Sequence, residues 1–363
     1  VGQVSGAERP TIAIDGLGQP HIVSDLHNMS EVYIAHRVGG SWTQRRFAQA
    51  GAAMGASRVY LPCIVIDRQD RGWVSAWQGV KGFDAGGGPV NDGQGVWLVE
   101  DISTAPTMRF LGVANRGKKN GNIAVDPFFP GLAYVVSYGG QFQEFGLDGP
   151  HQRQGSDVLD VGTSGEKIRF KIRQRQGGAR EGVWHIVMSG WSQESSSYRN
   201  SLMDAKVVWA SNTVAAYSHP VTGMGDDMRH PGLGVDGGDP KVGYMAVAYG
   251  SSVLINIWNG TEMVYDSTDL PVIDSNAAHG GNGGDRFGPQ WAPAPGSGAF
   301  MCWTSGDNRI KLKRVDPDRR MSRTWDIADG HFCSLALDGP NKNLRLAYIN
   351  DNRVRYRVLT LGP

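Results

Sequence analysis

The chain has 363 residues, 51 of them glycine, and 36 basic against 35 acidic side chains leave a formal charge of +1. That balance gives no ground for a nucleic-acid wrapper or a polybasic membrane anchor, and no apolar run approaches the ~18 residues of a membrane-spanning helix. Glycine at about twice its usual ~7% share, together with 11 Trp and 11 Tyr, points to short strands and tight turns rather than helices.

In chain order, Thr11-Ile12-Ala13-Ile14-Asp15 opens a pattern that returns as Cys63-Ile64-Val65-Ile66-Asp67 and Asn122-Ile123-Ala124-Val125-Asp126. It returns again as Gly232-Leu233-Gly234-Val235-Asp236 and Ser334-Leu335-Ala336-Leu337-Asp338. Each apolar run ends in Asp, then a Gly-, Pro- or Asn-rich turn leads to a second apolar run such as Trp73-Val74-Ser75-Ala76. Phe170-Lys171-Ile172-Arg173 and Pro289-Gln290-Trp291-Ala292 are degenerate copies in the two gaps. With Asp15, Asp67, Asp126, Arg173, Asp236, Ala292 and Asp338 as markers, the units lie 46 to 63 residues apart and use the whole chain. Strand–turn–strand units at a period of roughly 40–50 residues predict propeller blades. The expected fold is an all-β, seven-bladed propeller in one domain spanning residues 1–363. Only two strands fit after Asp338, so the segment Gly2 to Ser5 is expected to complete the last blade. That pairing of N- and C-terminal strands would close the ring and remove its open edges.

Loops entering the innermost strand share a face with those joining the second and third strands. Six places before the markers stand Arg9, Leu61, Asn120, Lys167, His230, Arg286 and Phe332, with Arg229 beside His230. Basic groups gathered at one mouth of a nearly neutral protein suggest an anionic ligand held by charge-assisted bonds. An equally simple reading has them neutralise carboxylates across the channel. The second strands end in Trp77, Tyr138, Trp191, Tyr249 and Trp303, which suit either the faces of sugars or ordinary packing between blades. Two long loops are expected, one from Gln78 to Gly95 containing Gly86-Gly87-Gly88, the other from Trp191 to Asn200 containing Tyr198 and Arg199.

Other chemistries lack their signatures. No G-x-S-x-G elbow, H-E-x-x-H or phosphate-binding G-x-x-x-x-G-K is present, and Gly40-Ser41-Trp42-Thr43 matches only the tail of a sialidase Asp-box. Cys63, Cys302 and Cys333 lie in apolar runs and are expected as buried free thiols. No cofactor is expected; the Asp-rich turn Asp236-Gly237-Gly238-Asp239 could hold a structural calcium.

Ile12-Ala13-Ile14-Asp15-Gly16-Leu17-Gly18, running on to Leu26-His27-Asn28, resembles the opening blade of the BNR-repeat propeller family that includes ulvan lyases and related rhamnose–glucuronate-cleaving enzymes. Val59-Tyr60-Leu61-Pro62 is similar to the start of that family's next blade, and Gly182-Val183-Trp184-His185-Ile186 followed by Trp191 to its fourth. The resemblance covers about the first 200 residues. It implies a polysaccharide lyase in which His27 and Tyr60 perform β-elimination beside a uronate. The Arg that neutralises the carboxylate in that family has no match, because the corresponding strand end reads Trp77-Gln78.

Removing the proton α to a uronate carboxylate calls for a base poised near neutral pH, an acid for the leaving oxygen and positive charge for the enediolate. His27 and Tyr60 fit the first two roles. Arg9, Trp77, Tyr138, Arg169, Tyr198, Arg199, Arg229, His230 and Arg286 are the expected substrate-binding residues. The expected partner is an anionic polysaccharide or oligosaccharide, with neither nucleic acid nor membrane, and the protein is expected as a monomer. Two alternatives stand beside the lyase. One is a glycoside hydrolase on a rhamnose–uronate linkage using Asp25 or Asp84, and the other is a non-catalytic carbohydrate-binding propeller. Residues Val1-Gly2-Gln3-Val4 carry no basic or apolar leader, so the expected secreted or periplasmic location supposes a signal peptide outside this sequence.

Overall fold

The computed structural model describes residues 6–26, 31–49, 56–80, 93–114, 123–126, 130–136, 142–151, 163–175, 181–192, 197–208, 213–221, 228–239, 241–249, 251–265, 269–277 and 289–361. Among them there is no helix, and the strands form antiparallel sheets of three or four neighbours each. The chain divides into two compact units, one made of residues 1–154 and 338–363, the other of residues 155–337.

In the first unit, β1 (Ala7–Ile14), β2 (Pro20–Leu26), β3 (Glu31–Val38) and β4 (Ser41–Gln49) lie side by side in chain order. The next sheet repeats the order with β5 (Ala56–Ile66), β6 (Gly72–Val80), β7 (Gly93–Glu100) and β8 (Thr107–Ala114). A smaller sheet follows, from β9 (Ile123–Val125), β10 (Ala133–Val136), β11 (Phe142–Gly146) and β12 (Gly149–Pro150). In the second unit the same meander recurs as β13 (Thr163–Arg175), β14 (Glu181–Ser192), β15 (Ser197–Val208) and β16 (Thr213–Val221). It recurs again as β17 (Met228–Val235), β18 (Gly243–Tyr249), β19 (Ser252–Trp258) and β20 (Val272–Asp274). The last full copy is β21 (Gln290–Pro293), β22 (Ala299–Thr304), β23 (Arg309–Val315) and β24 (Trp325–Asp329). Then come β25 (His331–Asp338), β26 (Asn343–Asn350) and β27 (Arg353–Leu359).

The Asp markers fall where the sequence puts them, at the hairpin after the first strand of a sheet. Asp15, Asp67, Asp126 and Asp236 each donate their N–H across that hairpin, to the carbonyls of Gln19, Arg71, Leu132 and Val242. The equivalent N–H in β21–β22 is that of Ala294, bonded to Gly298, so the true phase of that copy is two residues beyond Ala292. Their carboxylates explain why Asp recurs. That of Asp67 accepts from the Gln69 and Arg71 backbone, the Arg71 guanidinium and the Trp73 indole. That of Asp236 accepts from the backbone N–H groups of Gly238 and Asp239 at 2.7 and 2.8 Å and from the Tyr244 hydroxyl at 2.8 Å. Some also fasten one sheet to the next. Asp236 reaches the Gly298 N–H of the following hairpin, and Asp70 accepts the Gly16 N–H at 2.6 Å.

Burial is deepest in the second strand of a sheet and least in the fourth. β2 and β22 are buried along nearly their whole length, whereas β24 keeps every residue at least partly in water. An apolar core in the first unit joins Val23, Ile34, Ile64, Val74, Val99 and Ile102; in the second, Tyr244, Ile255, Trp291, Met301 and Trp303 do the same. Close approach between β17 and β21 demands glycine, since a Cβ at Gly232 would fall 1.8 Å from the Pro289 carbonyl oxygen.

Several sequence expectations change here. The segment from Trp191 to Asn200, expected as a long loop, is mostly hairpin: Trp191 pairs with Tyr198 and Ser189 with Asn200, in strands of 12 residues each. Ser192 and Ser197 read as loop formers, but they face each other across the two strands, and that pairing overrides the preference. The loop after Gln78 is likewise shorter than expected, because β6 runs to Val80 and β7 begins at Gly93. Residues 2–5 and 81–92 lie outside the described residues. Gly6 does donate its N–H to the Asn352 carbonyl at 3.0 Å, next to the first residue of β27.

Candidate functional site

Near its start the first strand of several sheets is broken at one position. Pairing shifts between Glu8 and Thr11, between Tyr60 and Cys63, and between Arg229 and Gly232. The residues inside these bulges are Arg9-Pro10, Leu61-Pro62 and His230-Pro231, and Gly288-Pro289 stands at the same distance before Ala294. Proline lacks the N–H that the ladder requires, so the register slips there. Such bulges re-aim side chains and concentrate beside active sites. The X-Pro repeat is visible in the sequence once it is aligned on the hairpins, whereas residue charge alone does not mark it.

Within the first unit two of these bulges are tied together. The Thr11 hydroxyl donates to the Pro62 carbonyl at 3.3 Å and accepts the Ile64 N–H at 3.2 Å. Arg9 and Tyr60 therefore sit on adjoining irregular strand segments. Tyr60 is the register partner of Trp77, so two residues expected from the sequence at one site share one rung of the β5–β6 ladder.

The structure gives Arg9 another task than the one expected. Its guanidinium is buried, with Nε 3.1 Å from Asp25 Oδ1 and an Nη 2.9 Å from Asp25 Oδ2; Glu8 lies 3.2 Å away. Its φ of 50° is left-handed, a costly conformation for a side-chain-bearing residue that must be held by its surroundings. One cation already faces two carboxylates, so Arg9 is a brace for the bulge and not an open seat for a substrate carboxylate. The same pair occupies Asp25, which is fully buried and unsuited to the acid/base role considered for a hydrolase. Trp77, at 5% exposure, and Trp303, whose indole N–H donates to Asp274 at 2.7 Å, are packing residues rather than open stacking platforms.

The remaining candidates are placed only in part. His27, Tyr138, Asp84 and Arg286 lie outside the described residues. Arg169 pairs with Val187, Arg199 with Gly190, Tyr198 with Trp191, and Arg229 with Ala248, while His230 lies in its bulge. Among the described residues no group of three or more His, Cys, Asp or Glu is placed to hold a metal ion. The Asp236 carboxylate, considered for calcium, is taken up by its own turn.

A cluster that no motif announces lies on the β9–β12 sheet. The Tyr134 hydroxyl stands 3.2 Å from Asp126 and 3.0 Å from Glu144, and His151 Nδ1 lies 2.6 Å from the other Glu144 oxygen. The hydrogen bond to Glu144 is the main cause that raises the His151 imidazole above its usual range, with Asp148 assisting at 3.3 Å. A raised histidine stabilises the folded state fully below its ordinary pKa of about 6.5, and that contribution fades as pH climbs through the raised value. In an NMR titration the His151 ring is expected to change protonation above 6.5, and Glu144→Gln to bring it down. A ring that titrates at or below 6.5 in the unaltered protein would contradict the pairing.

No family model matches the chain, and no curated protein matches it in sequence. Solved structures do match in fold. A lectin from Burkholderia pseudomallei superposes with a TM-score of 0.62 at 12% identity, covering 98% of this chain and 97% of that one. An ulvan lyase of a polysaccharide lyase family, solved with a bound saccharide, gives 0.54 at 13% identity, with 98% and 94% covered. A Trypanosoma rangeli sialidase gives 0.52 at 12% identity, and this chain, 98% covered, spans about half of its length. At such identities the likeness is one of fold: the chain is an all-β protein built like β-propeller-like proteins, among which are a lyase, sialidases and a lectin.

Proposed function

We propose that the protein is a carbohydrate-active propeller, and specifically a polysaccharide lyase that cleaves a uronate-containing anionic glycan by β-elimination. In this reading the sheets are the blades of one seven-bladed ring, closed by its N- and C-terminal strands, and the protein acts as a secreted or periplasmic monomer. The observation that carries the reading is the pair of tethered bulges. Thr11 fixes the β5 irregularity beside that of β1, and Tyr60 and Trp77 occupy one rung there. His27, which follows β2, is the base that removes the proton α to the carboxylate, and Tyr60 protonates the leaving glycosidic oxygen. Since Arg9 is committed to Asp25, charge neutralisation falls to Arg229, His230 and Arg286.

Sialidases on a like fold make hydrolysis the second reading, but the burial of Asp25 against Arg9 weighs against one of its two proposed carboxylates. A lectin reading rests on the Burkholderia fold match alone. Incubation with ulvan, alginate, pectin and gum arabic separates the three. A lyase gives products that absorb in the unsaturated-uronate band, a hydrolase gives saturated fragments, and a lectin retains the glycan uncut. Cleavage without new absorbance would rule out the lyase.

A further inference from the structure

Strands β22 and β25, which belong to different sheets, hold two of the three cysteines. Cys302 is fully buried and Cys333 is 4% exposed. Side chains two apart on a strand share a face, so Cys302 points the same way as Thr304. The Thr304 hydroxyl accepts the Phe332 N–H at 3.2 Å, which brings the start of β25 against that face of β22. One residue on, Cys333 lies close enough to Cys302 for its sulfur to act on the Cys302 thiol. The thiols are therefore neighbours across two strands that are 31 positions apart in sequence, and Cys63 lies in the other compact unit.

We infer that Cys302 and Cys333 form a disulfide when the chain folds in the presence of a small-molecule disulfide such as oxidised glutathione. Two thiol–disulfide exchanges complete it. One protein thiolate attacks glutathione disulfide, forming a mixed disulfide and releasing one glutathione thiolate. The second cysteine then displaces the other glutathione, so the protein loses two hydrogens and two electrons and one glutathione disulfide becomes two thiols. Burial and the neighbouring sulfur push the Cys302 thiol up, and only the thiolate attacks. Oxidation of the folded, reduced protein is accordingly slow, and the bond forms mainly during folding.

The test is refolding of the denatured, reduced chain in a glutathione redox buffer, followed by alkylation and peptide mass spectrometry. The expected product carries one Cys302–Cys333 bond, with Cys63 alkylated. Its thermal midpoint should exceed that of the chain refolded under reduction by roughly 5–10 °C, the usual effect of closing a loop of this size. Cys63→Ser should keep both the bond and the shift, whereas Cys302→Ala should lose both while its reduced form still folds. If Cys302 and Cys333 both remain alkylatable after oxidative refolding, or if the bond formed involves Cys63, the inference fails.

Discussion

Replacing Tyr60 by Phe, or His27 by Ala, is expected to lower kcat on the cleaved glycan by roughly 10²- to 10⁴-fold, the usual cost of losing one general acid or base. KM should move little, because neither group is assigned to hold the sugar. The double variant should fall scarcely further than the worse single one, since the two act on one proton-transfer sequence. The lack of any competing nucleophile motif, and the occupation of Arg9 and Asp25 by each other, leave these two as the proposed proton carriers. Initial rates followed at the unsaturated-uronate band, with circular dichroism to check folding, measure the effect. Full activity in Tyr60→Phe would remove the tyrosine from the acid role, and the same result in His27→Ala would remove the base.

The second large effect concerns stability. Asp236→Ala should destabilise the second unit by about 3 kcal/mol, because it removes a buried acceptor from several donors at once. Two backbone N–H groups of its own turn, the Tyr244 hydroxyl and the Gly298 N–H of the neighbouring hairpin all end on this carboxylate. Tyr244 is fully buried, and that burial, together with the adjacent Asp236, pushes its hydroxyl far above the usual tyrosine range. Left without an acceptor, that hydroxyl would be an unpaired donor in the core. Asp236→Asn keeps one carbonyl acceptor and should cost distinctly less. Urea titration of both variants checks the order, and equal stability of Asp236→Ala and the unaltered chain would refute the fastening role.

The repeat was legible because its cause is local. A carboxylate that caps its own hairpin must sit at a fixed place between two apolar runs, so the Asp series marked the first strands directly. Of the two copies lacking Asp, the one marked at Ala292 is misphased by two residues for the same reason. Ala294 has only a methyl group, with no acceptor to announce the turn, and Asp236 of the preceding sheet accepts the Gly298 N–H instead. What the sequence hid depends on partners distant along the chain. Which carboxylate Arg9 neutralises is hidden because Asp25 lies 16 positions away, and only the β1–β2 register brings them together. The Cys302–Cys333 contact and the His151–Glu144–Tyr134 cluster are set in the same way, by packing between strands rather than by spacing.

The hairpin carboxylates and the X-Pro bulges stand at opposite ends of the same strands. Fastening is concentrated at the first, where Asp70 and Asp236 bind consecutive hairpins to one another. The bulged end carries fewer but specific ties, Thr11 across to Pro62 and Ile64 and the buried Arg9–Asp25 pair. Segments entering there can change only outside those ties, so new specificity is best grafted ahead of the X-Pro step and not across it.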